Sequence, residues 1–450
     1  DDSVPVPPEV LCGRRDGRRC ERIADMEKVG MKKQALFPGI RKPESGRSTG
    51  SGLARLLPGF CIVLLLAGCG YGTADMEERT EETVSQGEDV TKRTEWEIVI
   101  PDDNYRNYYE IFVSSFYDSD GDGTGDLNGV AQKLDYIQDM GFTGIWLMPV
   151  MPSPTYHKYD VTDYCDIDPE YGTMDDFKNL IAACHERGIN VIIDLVMNHT
   201  SSQHEWFKTA ADYLKNLPEG AEPDASECPY VDYYNFSKEM QGGYSKLDGT
   251  DWYYEAQFWS EMPDLNLGSQ AVRDEFDKIV DFWLDLGVDG FRLDAAKEYY
   301  SGSVDKNVEV LSWFHSMVKE KKEDAYIVAE VWTDQNTYAK YYESGIDSCF
   351  DFSFADSTGT ITSVLKNGSA SSYGKALVNL QDNLSQYSDS YIDAPFYTNH
   401  DMARGAGYYS GDDSEKQTKI AQAMNLLMSG SAFLYYGEEL GMKGSGKDEN

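Results

Sequence analysis

The chain has 450 residues, with 78 acidic and 40 basic residues and a formal net charge of -38 at pH 7. This length suffices for one large barrel with an insertion or for two or three smaller domains. Because phosphate binding needs a basic surface, the acidic balance argues against a nucleic-acid partner and favours a soluble, secreted surface.

The N-terminal part predicts a processing signal rather than a folded domain. A long basic stretch precedes the apolar segment Leu56–Ala67, which is too short for a comfortable membrane span. Ala67 and Gly68 then precede Cys69, an arrangement that resembles a bacterial lipoprotein signal. Residues 1–69 are therefore predicted to be an upstream segment and signal peptide, with a lipid on Cys69 anchoring an extracytoplasmic protein to the cell membrane. The alternative is an ordinary signal peptide with an incidental cysteine.

The segment that follows, residues 70–100, is polar and acidic, and we expect a flexible tether. Four cysteines lie beyond it, and their spacing matches no zinc-binding pattern. They are either small buried residues or, outside the cytoplasm, include one disulfide. The four are Cys165, Cys184, Cys228 and Cys349.

From about residue 105 onward, short apolar runs alternate with amphipathic stretches, and eight such runs can be identified. Eight strands, each followed by a helix, predict an α/β fold of the (β/α)8 TIM-barrel type. The predicted strands are residues 109–113, 144–149, 190–195, 288–294, 326–331, 350–354, 395–398 and 432–436. The clearest predicted helices are residues 134–140, 175–187, 271–286 and 308–321.

One connection, between the third and fourth strands, is far longer than an ordinary βα loop. Residues 199–258 are rich in Tyr, Trp, Gly and Asp, and we expect a small irregular subdomain, a domain B, inserted at the C-terminal face of the barrel. Residues 101–198 and 259–450 are then the two parts of the barrel. Since the sequence stops soon after the eighth strand, we expect it to lack the last helix.

Three acidic residues, Asp294, Glu330 and Asp401, end apolar strand-like runs. The C-terminal ends of barrel strands face one common site, and two carboxyls flanking a bond, with a third nearby, can cleave a glycosidic linkage. Arg292 points to the same face as Asp294, and its charge should keep Asp294 ionised. Glu330 lies among apolar neighbours, as a proton donor requires. Each acid taken alone could equally be a paired structural residue.

Five segments occur in order along the chain, and they are Asp194–His199, Met262–Asn266, Gly290–Asp294, Glu330–Trp332 and Thr398–Asp401. With them, the sequence resembles the α-amylase family of retaining glycoside hydrolases from about residue 105 to the end. The resemblance implies that Asp294 is the nucleophile, that Glu330 is the general acid and then base, and that Asp401 binds sugar hydroxyls and stabilises the transition state.

The resemblance also implies how the substrate is held. Tyr159 would stack on the sugar at the cleaved position, and His199 and His400 would hydrogen-bond its hydroxyls, beside Arg292. In the family, a small residue after the nucleophile accompanies α-1,4 cleavage, and here that residue is Ala295. We therefore expect a starch-like α-1,4-glucan or maltooligosaccharide substrate and a monomeric enzyme.

Two other interpretations stay open. An α-glucosidase, an oligo-1,6-glucosidase or a glucanotransferase would use the same scaffold, and only the products distinguish them. A non-catalytic sugar-binding or transporter-partner protein is the remote alternative. Such relatives generally lose at least one of the three acids, whereas Asp294, Glu330 and Asp401 are all present.

An acidic loop follows the first predicted strand. Carboxylates at alternate positions, separated by glycines that permit a tight wrap, form an oxygen cage for a hard cation. The loop resembles the start of an EF-hand but has Gly129 at the twelfth position, and it is more similar to the calcium loop of oligosaccharide-cleaving family members. The alternative is a polar turn of solvated acids. The resemblance implies a structural calcium ion held by Asp118, Asp120, Asp122, the carbonyl of Thr124 and Asp126.

Typical family members bind a further calcium ion between the barrel and the inserted subdomain. Asn198 and Asp264 match two of its ligands, but Glu298 replaces the usual histidine. The sequence therefore leaves this second site open.

Overall fold

The computed structural model describes residues 106–444, so the predicted signal peptide, Cys69 and the acidic tether lie outside the described residues. The strands in chain order are β1 (Tyr108–Ile111), β2 (Gly144–Leu147), β3 (Asn190–Leu195), β4 (Phe236–Ser237), β5 (Tyr244–Lys246), β6 (Tyr253–Glu255), β7 (Gly290–Leu293), β8 (Tyr326–Ala329), β9 (Ser348–Asp351), β10 (Ala394–Pro395) and β11 (Phe433–Tyr435).

Eight of these strands form one parallel sheet in the order β10-β9-β8-β7-β3-β2-β1-β11. A parallel bridge between Phe396 and Phe433 joins its two edges, so the sheet nearly closes into a barrel. This arrangement confirms the predicted (β/α)8 fold.

The sixth barrel strand, β9, lies earlier in the sequence than predicted. It begins at Ser348, whose register pairs it with Val328 of β8, and it ends at Asp351. The carboxylate of Asp351 accepts the N–H of Ser353 at 2.9 Å, and this local turn ends the strand before the predicted residue 354.

Helices surround the barrel. The one after β2, at Met174–His185, shows how they begin: the Thr173 side chain accepts the N–H of Asp176, and the Asp176 carboxylate accepts the N–H of Thr173. The helices are α1 (Val113–Phe116), α2 (Leu127–Gln132), α3 (Leu134–Asp139), α4 (Met174–His185), α5 (Glu205–Asn216), α6 (Gln270–Asp285), α7 (Val304–Lys321), α8 (Gln335–Lys340), α9 (Thr360–Asn367), α10 (Ala370–Leu384) and α11 (Ser414–Leu426). None of these helices between residues 106 and 444 is long and apolar enough to cross a membrane.

Aromatic side chains fill the barrel interior. Tyr108 of β1 stacks on Tyr326 and Phe433, with ring centroids 5.2 and 4.8 Å away. A side chain at Gly144 of β2 would lie 2.5 Å from the Tyr108 ring, so only glycine leaves room for that ring. This packed interior supports the strand ends on which the polar residues stand.

The insertion contains more regular structure than the sequence predicted. It holds the helix α5 and an antiparallel sheet in the order β4-β6-β5. Phe207 of α5 packs edge-on against Tyr254 of β6, and Trp252 is buried as well, so both side chains belong to the core of the insertion. The four cysteines of the described part are all unpaired, with Cys165 exposed and the other three buried.

Candidate active site

Charged residues at the C-terminal ends of the barrel strands surround Arg292 of β7. Arg292 is 1% exposed, and its guanidinium lies 5.0 Å from the centre of the Trp146 ring. The register of β3 against β7 places Asp194 opposite it. Nη1 donates to Asp194 Oδ1 at 2.9 Å and to Asp294 Oδ1 at 2.6 Å. Nη2 donates to Glu330 Oε2 at 2.8 Å, so one buried cation holds three carboxyl groups.

Asp294 and Glu330 each use only one carboxyl oxygen to accept hydrogen bonds from Arg292. Arg292 binds Oδ1 of Asp294, which leaves Oδ2 for a ligand. Oε2 of Glu330 accepts from Arg292 and from the N–H of Ala295 at 2.9 Å, so Oε1 is the oxygen that can carry a proton. Ala295 has a φ of 46°, a left-handed value that a residue other than glycine seldom adopts. This sharp turn directs its N–H to Glu330.

Burial separates the protonation states of the three acids. It raises the pKa of Glu330 to about 7 and that of Asp294 to about 6, although Arg292 opposes both shifts. At Asp401 burial also acts to raise the pKa, but the charges of His400 and Arg292 outweigh it and lower the pKa to about 2. The expectation that Arg292 keeps Asp294 ionised is therefore met only above about pH 6, because desolvation exceeds the attraction. Glu330 is the acid that best retains a proton near neutral pH.

Tyr159 and His400 form the opposite side of the site. Their rings stack with centroids 5.5 Å apart, and the Tyr159 hydroxyl donates to Asp194 Oδ2 at 3.0 Å. Nε2 of His400 lies 2.9 Å from that hydroxyl and 3.2 Å from Asp401 Oδ2. The side chain of Asp401 is 44% exposed, so its carboxylate is accessible to a ligand.

His199 adds a buried ring nitrogen that lacks a partner. The residue is 2% exposed, its ring lies 5.5 Å from that of Phe258, and burial lowers its pKa to about 4, so the imidazole is neutral. Its Nε2 has no hydrogen-bond partner among the described residues. Since a buried polar atom without a partner is unfavourable, a bound ligand is the natural source of one.

Sequence reasoning missed two acids of this cluster, Asp194 and Glu110. Asp194 is fully buried and binds Arg292, Tyr159 and the indole N–H of Trp146. Glu110 of β1 is 1% exposed, and its Oε1 lies 2.7 Å from His400 Nδ1. Both are single acids within apolar strand runs, which is the signal that identified Asp294.

The acidic loop after β1 brings three predicted calcium ligands together. Carboxylate oxygens of Asp118, Asp120 and Asp126 lie within 4.8 Å of one another. Gly121 and Gly123 have φ values of 86° and 101°, and their N–H groups donate to the Asp118 carboxylate at 2.6 and 2.9 Å. Three clustered carboxylates are hard oxygen ligands and repel one another without a cation, so the residues fit calcium.

The two other predicted ligands are not part of this carboxylate group. Asp122 lies outside it, and its Oδ1 accepts the N–H of Thr124 at 2.8 Å. Asp122 thus supports the turn, and the Thr124 carbonyl as a ligand stays a prediction.

At the second calcium position, Asn198 and Asp264 meet directly. Asn198 Nδ2 donates to Asp264 Oδ1 at 3.1 Å, and the N–H of Gln257 donates to Oδ2 at 2.9 Å. Burial raises the pKa of Asp264 to about 8, and the charges of Glu255 and Glu298 act in the same direction. The two matching residues thus lie together near two further acids, and the second calcium site stays open.

A TIM barrel with two carboxyls bridged by a buried arginine and a third beside them defines the scaffold of a glycoside hydrolase. Comparison with known proteins agrees, because the model of the α-amylase catalytic domain matches residues 110–450. The chain belongs to the α-amylase family.

Three relatives show how far the similarity extends. Alpha-amylase 3 of Dictyoglomus thermophilum is 44% identical over 353 residues, which cover 77% of this chain and 66% of that protein. The solved structure of Eubacterium rectale Amy13B is 62% identical with a TM-score of 0.76, over 77% of this chain and 68% of that one. A 4-alpha-glucanotransferase of Thermotoga neapolitana is 32% identical over 349 residues, which cover 75% of this chain and 72% of that protein. The chain thus spans slightly less than two thirds of the Dictyoglomus protein.

Proposed function

We propose that the protein is a retaining glycoside hydrolase that cleaves α-1,4-glucosidic bonds in starch-like glucans or maltooligosaccharides. The observation that carries this proposal is the guanidinium of Arg292, which binds Asp294 through Nη1 and Glu330 through Nη2. Retaining glycosidases hold their two carboxyls about 5–5.5 Å apart, whereas inverting enzymes leave room for a water between them. Because Asp294 and Glu330 bind the two terminal nitrogens of one guanidinium, their carboxyl groups lie close together, which favours the retaining mechanism.

The free oxygens fit a double displacement. Oδ2 of Asp294 forms a bond to the anomeric carbon while Glu330 Oε1 gives its proton to the departing glycosidic oxygen. Glu330 then takes a proton from a water whose oxygen attacks the same carbon, and Asp294 leaves as a carboxylate. Each step forms one bond to the anomeric carbon and breaks one, and each inverts its configuration. The two inversions together retain the original configuration. Glu330 is protonated again at the end of the cycle.

The surrounding residues would bind the sugar at the cleaved position. Asp401 stays ionised and accessible, so it can accept hydroxyl hydrogen bonds and stabilise positive charge that develops on the ring. His199 offers its unpartnered Nε2, and Tyr159 offers an aromatic face. The small Ala295 beside the nucleophile leaves room for an α-1,4-linked neighbour, which also agrees with the relative named alpha-amylase.

The second candidate is a glucanotransferase, because one relative is named as a 4-alpha-glucanotransferase. The covalent step would be the same, but the hydroxyl of an acceptor sugar would replace water in the second step. Hydrolysis is preferred here because the more similar relative is named as an amylase.

A starch digest by the full chain tests the proposal. We expect rapid loss of iodine staining with few new reducing ends and short maltooligosaccharides as products, because an endo-acting hydrolase cuts within the chain. Early release of glucose with slow loss of colour would indicate an α-glucosidase. Altered chain lengths without new reducing ends would indicate the transferase, and unchanged starch from folded protein would contradict all three.

We also propose that Asp118, Asp120 and Asp126 hold a structural calcium ion, with Asp122 and the Thr124 carbonyl as the further ligands that the family resemblance implies. The close carboxylates support this proposal. An ion that binds only the folded state at about a hundred times its Kd stabilises by about 2.7 kcal/mol. Chelation should therefore lower Tm by several degrees.

The matched variants for this calcium prediction are Asp118→Asn and Asp212→Asn. Asp212 is an exposed acid of α5 that pairs with Lys215, so its loss should leave the calcium response intact. Differential scanning calorimetry with and without chelator would show a Tm shift in wild type and Asp212→Asn but little in Asp118→Asn. Equal shifts in all three proteins, or none in wild type, would refute the site.

A further inference from the structure

His400 stands between two acids that come from opposite sides of the site. Glu110 of β1 places Oε1 at 2.7 Å from Nδ1, and Asp401 places Oδ2 at 3.2 Å from Nε2. The backbone N–H of His400 also donates to Glu110 Oε1 at 3.4 Å. The edge of the Trp146 ring contacts the imidazole, with centroids 5.7 Å apart. The ring is thus fixed at both nitrogens and on one side.

The hydrogen-bond donors around His400 determine where its protons lie. The single proton of the Tyr159 hydroxyl is donated to Asp194, so that hydroxyl can only accept from His400 Nε2. Nε2 must therefore carry a hydrogen. A neutral ring would then present a bare Nδ1 to the Glu110 carboxylate at 2.7 Å, which is repulsive. A second proton, in addition to the one on Nε2, must therefore lie between Nδ1 and the Glu110 carboxylate.

We propose that Glu110 is a positioning residue that holds His400 as an imidazolium, with one N–H on Glu110 and the other between the Tyr159 hydroxyl and the Asp401 carboxylate. The role rests on the proposed function, because the cation would keep Asp401 ionised beside the sugar. Glu110 itself is too deeply buried to touch the substrate.

The charges around the ring agree with this geometry. Burial opposes the charged form of His400, but Asp401 and Glu110 outweigh it and raise its pKa well above the ordinary value. Burial raises the pKa of Glu110, and the contact with His400 acts against that rise. The charged or titratable groups acting on the cluster are Glu110 of β1, Asp194 of β3, Arg292 of β7, Tyr435 of β11, His157 and Tyr159 after β2, and Asp401.

Removing the charge of Glu110 while keeping its shape should change the titration of His400. In Glu110→Gln the ring keeps only Asp401 as an anionic contact, so its pKa falls toward the ordinary range. At pH 8 we expect kcat/KM to fall roughly ten- to a hundredfold, the size of loss seen when the partner that orients a metal-binding histidine is removed. At pH 5.5, where the ring is still protonated, the loss should be small, so the alkaline limb of the pH profile becomes steeper.

The control is Glu438→Gln. Glu438 is another acid that is 3% exposed, and it binds the N–H of Gly405 and the side chain of Gln422 instead of a histidine. Its loss should lower stability but leave the shape of the pH profile unchanged. A merely structural role for Glu110 would give the same result in both variants, and parallel profiles for wild type and Glu110→Gln would overturn the proposal.

A spectroscopic readout makes the test independent of activity. The chain has six histidines, so ring nitrogens can be observed by NMR after labelling with 15N-histidine, and the His400 signals are identified by their loss in His400→Gln. Wild type should show both nitrogens protonated through pH 8, and Glu110→Gln should show a ring that loses a proton in this range. A neutral ring in wild type at pH 7 would refute the proposal, even if the variant did not fold. If wild type did not cleave starch but its His400 ring were protonated, the proposed function would be rejected while the role of Glu110 would stand.

Discussion

Asp294→Asn should lower kcat on starch by roughly 10⁴- to 10⁶-fold, as removal of a nucleophile does in other enzymes with a covalent intermediate. The amide has nearly the shape of the carboxylate but cannot form the bond to the anomeric carbon. This loss corresponds to about 5–8 kcal/mol of transition-state stabilisation. Reducing-end assays with the full chain would measure it.

Folding should survive this substitution because Arg292 keeps two other carboxyl partners. Its guanidinium binds Asp194 through Nη1 and Glu330 through Nη2, so the buried cation is not left alone. The variant should therefore bind maltooligosaccharides with nearly unchanged affinity, which calorimetry would show. Activity within tenfold of wild type would remove Asp294 from the proposed role.

Asp289→Asn is the matched control on the same strand. Asp289 lies just before β7, at its opposite end, where it accepts the N–H of Val191 and contacts His185. In a TIM barrel this end of the strands contributes to stability while the other carries the chemistry. The control should lose thermal stability but keep its turnover, so a comparable loss of kcat in both variants would point to general misfolding.

Local sequence patterns were enough to predict the barrel. Each strand is an apolar run bounded by polar residues, and each long helix repeats apolar residues at helical spacing, so both signals come from neighbours in the chain. The strands of the insertion have two or three residues each, which is too short for a pattern to emerge. Their sheet depends on packing against α5, which sequence periodicity does not show.

The same limit separates the predicted site residues from the missed ones. Asp294 and Glu330 are recognisable because each directly follows a strand within a family segment, and Asp401 because it closes the family segment beyond β10. Glu110 becomes functional only because barrel closure brings β1 next to the loop that carries His400, 290 residues later. Asp194 depends likewise on the register between β3 and β7. The apolar runs around these two acids mark them as candidates, but the groups that they contact are set by topology, which a single sequence does not contain.

Glu330→Gln should lower starch cleavage by roughly 10²- to 10⁴-fold, the usual contribution of general acid catalysis. The size of the loss should depend on the leaving group. A sugar alkoxide needs a proton to depart, whereas fluoride departs without one. We therefore expect the variant to react with α-maltosyl fluoride in its first step at close to the wild-type rate, as a rapid-quench fluoride assay would show.

The second step distinguishes the two roles of Glu330. Without the general base, water should attack the glycosyl-enzyme slowly, so the intermediate on Asp294 accumulates and is detectable as added mass on the intact protein. Azide needs no base and should restore turnover, giving a glycosyl azide.

Because burial raises the pKa of Glu330 to about 7, wild type should lose starch cleavage as the pH rises above that value, since the acid gives up its proton. The variant should lack this alkaline limb with the fluoride substrate. Equal losses on starch and on the fluoride would contradict an acid role, because a group that only shapes the site does not sense the leaving group.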